Sequence, residues 1–83
     1  MSQIIIDLPP DMLMALRASS EEAGELLRMA AAVKLFELGR LSSGAAAQLA
    51  GVPLTIFLSR LADYGVDTFR LTEEDLKREA SLA

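Results

Sequence analysis

The chain contains neither cysteine nor histidine, and at 83 residues that absence constrains its folding more than any motif does. A domain of this size leaves much of its surface uncovered, and small folds are commonly held together by disulfides, structural metals or partner chains. Without thiols there is no disulfide, and without thiol or imidazole ligands a structural zinc site loses nearly all its usual donors. A partner chain is the remaining aid. Composition points the same way: 52% of the residues are hydrophobic, only 5% are aromatic, and the mean hydropathy is +0.33, a large apolar content for one small core. The expectation is a mainly α-helical protein that works as a homodimer or higher oligomer.

Twelve acidic residues against eight basic ones give a net charge of −4, which opposes non-specific attraction to phosphate backbones. The charge is uneven, because residues 40–62 hold only Arg40 and Arg60 whereas residues 63–83 hold six acids and three bases. The middle is mildly cationic and the tail acidic. The longest apolar run, residues 29–33, is five residues long, far below the roughly twenty needed to cross a bilayer. The N-terminus shows neither a basic leader nor an extended apolar stretch. A cytoplasmic protein with no membrane partner is expected.

Ile4, Ile5, Ile6 and Leu8, closed by Pro9 and Pro10, predict a short strand over residues 3–8. Met12, Leu13 and Leu16 recur at helical spacing and predict a helix of about two turns. Ser20, followed by Glu21 and Glu22, reads as the N-cap of the main helix over residues 21–38, with Gly39 as its stop. From Met29 to Leu38 only Lys34 and Glu37 are polar, so this helix needs cover on several sides. Ser42 or Ser43 caps a short helix over residues 45–50, ended by Gly51; Pro53 opens a second over residues 54–64, ended by Gly65. Two short helices around a Gly-containing turn form a helix-turn-helix pattern. Residues 66–71 alternate apolar with polar as an extended arm does, and Thr72-Glu73-Glu74-Asp75 starts a charged C-terminal helix. Residues 1–65 thus read as a dimerisation and helix-turn-helix-like domain, and residues 66–83 as an acidic arm for partner docking.

Projected at 100° per residue, Thr55, Ile56, Ser59, Arg60 and Asp63 share one side of the 54–64 helix. Arg60 suits a guanine edge or a phosphate, Thr55 and Ser59 suit phosphates, and Ile56 suits a thymine methyl group. Arg40 and Ser43, at the entry to the preceding helix, complete the DNA-facing candidates. The same face also reads as a protein contact at Ile56 with a solvated polar rim. Strand, helix and helix in that order further resemble a ribbon-helix-helix unit; with no Lys or Arg in the strand, its role is pairing with a second copy and burial of Ile4, Ile6 and Leu8. Met29, Val33 and Phe36 are the helical candidates for the same dimer interface.

For catalysis the inventory is poor. The commonest general base and the strongest nucleophile are both missing. Carboxylate pairs at helical spacing, Glu21 with Glu25 and Asp75 with Glu79, have the chemistry to hold magnesium but read more simply as solvated helix surface. No phosphate-binding glycine pattern occurs. A binding protein without cofactor, metal, small-molecule substrate or enzymatic activity is expected.

The stretch from Leu27 to Val52, with Leu35-Phe36-Glu37-Leu38-Gly39-Arg40 followed by Ser42-Ser43-Gly44-Ala45-Ala46-Ala47-Gln48-Leu49-Ala50-Gly51, then Phe57 and Gly65-Val66, resembles the small prokaryotic proteins of uncharacterised protein family 0175. The resemblance covers roughly residues 26–66, and the acidic tail is also similar. It implies an antitoxin-like protein, often encoded beside a PIN-domain ribonuclease toxin, that binds its own promoter as an autoregulator. It also implies toxin contacts at Phe69, Arg70, Leu76, Lys77 and Arg78, with Arg70, Lys77 or Arg78 occupying the carboxylates of an acidic metal site in the toxin. The chain departs from the family pattern at Pro53, where a capping Ser is common, and at Leu54 and Thr55, where charged residues often stand. The alternative is an oligomeric interaction adaptor of the same fold that never meets DNA.

Overall fold

A computed structural model of the chain describes residues 2–66, which are mainly helical. The arm beyond Val66, with the expected terminal helix and the contacts Phe69, Arg70, Leu76, Lys77 and Arg78, lies outside the described residues. Four helices follow one another: α1 Met12–Leu16, α2 Ser20–Glu37, α3 Ser43–Ala50 and α4 Leu54–Leu61, the last continued by a 3-10 turn, Ala62–Tyr64.

Hydroxyl caps start the two helices whose entries carry serine. The Ser19 hydroxyl accepts the Glu22 N–H at 3.2 Å, and the Ser42 hydroxyl accepts the Ala45 N–H at 3.1 Å. The first cap falls one residue before the expected Ser20, because Ser19 holds the extended conformation a cap needs and Ser20 is already helical.

All four helices end in one motif, a left-handed residue whose N–H and that of its successor bond back into the last turn. Gly39, Gly51 and Gly65 hold φ of +77°, +75° and +74° after α2, α3 and the 3-10 turn. Arg17 does the same after α1 at φ +54°, with its N–H on the Met14 carbonyl at 3.1 Å and the Ala18 N–H on the Leu13 carbonyl at 3.1 Å. A Cβ is disfavoured in that conformation, so Arg17 is the strained member of the set.

The core lies between α2, α3 and α4. Met29, Ala32 and Val33 from α2, Ala46 and Ala47 from α3, and Phe57 and Leu61 from α4 are buried, and Val66 closes the cluster. Alanines at 32, 46 and 47 let α2 and α3 approach closely, leaving room for Phe57, whose ring meets that of Phe36 edge-on with centroids 6.0 Å apart. Two expectations change here. Met29 and Val33 are 6% and 4% exposed within a single chain, so these two are not free for a second copy, whereas Phe36 is only partly buried where it packs on Phe57; α3 and α4 fold back over α2 and supply cover that the sequence leads one to expect from another subunit. The strand over residues 3–8 is not formed among the described residues. β-branched side chains supply propensity, but a strand also needs a hydrogen-bonding neighbour. Ile4, Ile5 and Ile6 are instead 88%, 88% and 70% exposed.

Candidate nucleic-acid interface

The α3–α4 pair is set by its connection. Gly51 takes the left-handed conformation, Val52 turns inward against the core, and Pro53 is extended at the entry to α4. Three residues separate the helices, and the axis turns through 97° between Ser43–Ala50 and Leu54–Tyr64. Arg28 braces this corner from α2: its Nε donates to the Leu49 carbonyl at 2.8 Å, and its guanidinium lies over Gly51. That bond satisfies one of the last carbonyls of α3, which the helix cannot satisfy itself.

With Phe57 and Leu61 inward, the opposite side of α4 is left to solvent. Thr55, Ile56, Ser59 and Arg60 are all exposed on it, and Asp63 follows in the 3-10 turn. The Ser59 hydroxyl donates to the Ile56 carbonyl at 2.8 Å, so its oxygen is held near the helix surface while still able to accept. Arg60 makes no ion pair or hydrogen bond among the described residues, and the α4 entry has no side-chain cap. The other two candidates fall elsewhere. Arg40 is exposed in the connection from α2 to α3, whereas Ser43 is only 1% exposed and its hydroxyl has no hydrogen-bond partner among the described residues. Burial removes Ser43 from any direct contact with a duplex; Ser42 takes the capping role and Ser43 turns inward.

Beside this face lies a cleft that the sequence did not signal, about 590 Å³ in volume, bounded by the end of α1, the first half of α2, the α3–α4 corner and the end of α4. Arg17, Arg28 and Arg60 line it with Tyr64, and Glu22 and Glu25 stand on the α2 wall. A second, more apolar groove of about 490 Å³ runs between Ile4, Ile6 and Leu8 on one side and Leu13, Gly24 and Leu27 on the other. Among the described residues no group of three or more His, Cys, Asp or Glu side chains is placed to hold a metal ion, so Glu21 and Glu25 gain no third carboxylate. No single helix among them is long and apolar enough to cross a membrane.

One family model, described as Uncharacterised protein family (UPF0175), matches residues 1–83, the whole chain. No curated protein and no solved structure matches it.

Proposed function

The chain belongs to the uncharacterised protein family UPF0175, and from that premise and the geometry of α3 and α4 we propose that it is a homodimeric antitoxin-type regulator, a binding protein in the cytoplasm that reads its own promoter and neutralises a partner toxin. The toxin reading rests on the family resemblance, which implies a PIN-domain ribonuclease as partner and residues 66–83 as the docking arm. The DNA reading rests on one observation. Two short helices joined by three residues and crossing at 97° have the helix-turn-helix arrangement, in which the second helix lies in the major groove.

In that pose α4 presents Arg60 to a guanine edge or phosphate, Ile56 to a thymine methyl group, and Thr55 and Ser59 to phosphate oxygens. A single copy is a weak DNA binder, since the whole chain is acidic and the exposed α4 face carries one cation. Two copies double the contacts and read half-sites about one helical turn apart. The adaptor reading is favoured by a different feature of the same face: Ile56 is 47% exposed, and Asp63 beside it repels phosphate.

Titration of a fluorescent duplex from the protein's own upstream region separates the two. DNA reading gives an affinity that falls steeply with salt as counterions are released. Arg60→Gln is expected to weaken binding by roughly tenfold and to reduce the salt slope by about one for each phosphate that Arg60 neutralises. No change in duplex anisotropy at low salt, with protein in the micromolar range, favours the adaptor.

A further inference from the structure

We propose that the cleft lined by Arg17, Arg28 and Arg60 is the docking site of the acidic segment 73–79 of the same chain. The three cations come from three elements, the exit of α1, the middle of α2 and the end of α4, and none forms an ion pair among the described residues. Arg28 spends one N–H on the Leu49 carbonyl and keeps its remaining donors. Arg17 is held there against local preference. Glycine occupies the left-handed position at the other three helix exits, whereas Arg17 stands in it with φ +54°, a conformation that a Cβ disfavours. In that position its side chain lines the cleft.

The chemistry of the cleft selects its occupant. Glu22 and Glu25 share the wall with the arginines, and Leu16, Leu26 and Val52 add apolar surface. A run of phosphates meets repulsion from the two carboxylates. A segment of mixed charge does not, and residues 73–79 read Glu-Glu-Asp-Leu-Lys-Arg-Glu. Its four acids suit the arginines, Lys77 and Arg78 suit Glu22 and Glu25, and Leu76 suits the apolar surface. The segment is also tethered at the right place. Tyr64 lines the cleft and Val66 is buried in the core. The seven steps from Val66 to Glu73 span at most roughly 25 Å at full extension.

Arg60 belongs both to the cleft and to the exposed face of α4. Docking of the segment therefore competes with an outside anion for Arg60, and a partner that captures the segment removes the competitor. By linkage, the partner and the anion then favour each other's binding. This consequence rests on the proposed function; the docking itself does not.

Tyr64 is the chain's single tyrosine, and there is no tryptophan, so its fluorescence reports the cleft in the full-length protein. Acrylamide quenching is expected to be weak in the wild type and about twofold stronger in E73Q/E74Q/D75N, with a similar rise in wild type at high salt as the ion pairs are screened. The pair R17E/R60E should match the neutralised tail, and adding E73K/E74K/D75K to it should restore protection. The tail substitutions replace none of the buried residues of the described core, so they test the docking even where R17E/R60E fails to fold. Equal quenching in wild type and E73Q/E74Q/D75N overturns the proposal. Protection that grows with protein concentration overturns the same-chain assignment in favour of a neighbouring copy. Neither result bears on duplex binding, which is read without Tyr64.

Discussion

The segment before α2 and the unit formed by α2, α3 and α4 are similarly rich in apolar residues, yet only the second closes a core. Phe57, Leu61, Ala32 and Ala46 are fully buried, whereas α1 has no buried residue and Ile4, Ile5, Ile6 and Met14 are 70–88% exposed. Hydrophobicity alone does not explain the difference; return of the chain does. The turns at Gly39 and Gly51 bring α3 and α4 back across α2, so each apolar face meets another. Nothing returns across residues 2–8 among the described residues, and the groove they form with Leu13 and Leu27 stays open. The uncovered side of α2 continues this surface, with Leu26, Leu27 and Leu38 at 41%, 37% and 60% exposure. A second copy of the chain is the proposed cover, on this face and not on the one occupied by Met29, Val33 and Phe36.

Substitution by alanine at one large side chain in each region gives the widest contrast. Phe57→Ala removes a fully buried ring and is expected to cost about 3–5 kcal/mol, enough to unfold much of a small domain in a urea titration. Met14→Ala, at a side chain 82% exposed, should stay within about 0.5 kcal/mol at protein concentrations where the chain is monomeric. A large loss at Met14 would mean that the first region is packed after all.

The helix exits sharpen the contrast with opposite signs. Gly51→Ala places a Cβ at φ +75°, about 3.5 Å from the Arg28 guanidinium. That distance is ordinary contact, so the backbone strain sets the expected loss of about 1 kcal/mol in thermal unfolding. Arg17→Gly relieves the same conformation and should stabilise the fold by up to about 1 kcal/mol, less the entropy glycine adds to the unfolded chain. If Arg17→Gly destabilises, the contacts of Arg17 in the cleft outweigh the strain of its backbone.

What the sequence made legible was punctuation. Glycines at 39, 51 and 65, the serine before α3 and Pro53 marked the ends of elements because caps and left-handed turns depend on single residue types. The same signals placed Thr55, Ile56, Ser59 and Arg60 on one face of α4. Ser20 reads as the cap where Ser19 serves, since two adjacent serines offer the same hydroxyl and only backbone conformation chooses between them. The direction in which Met29, Val33 and Phe36 face was not legible, because α2 is apolar around most of its circumference and periodicity gives no unique inner side. The cleft was invisible for another reason: Arg17, Arg28 and Arg60 come together only through tertiary packing, and an arginine at a helix exit carries no warning of a positive φ.

The claim most exposed to test is that the open apolar side is covered by a second copy. Sedimentation equilibrium over a micromolar concentration series reads it directly, comparing wild type with Ile4→Ser/Ile6→Ser. A reversible dimer in the wild type is expected, with self-association at least about tenfold weaker in the variant, a change of ~1.4 kcal/mol, and an unchanged helical signal in circular dichroism. A wild-type chain that sediments as a folded monomer at every concentration, or a variant that dimerises as tightly as the wild type, contradicts the claim.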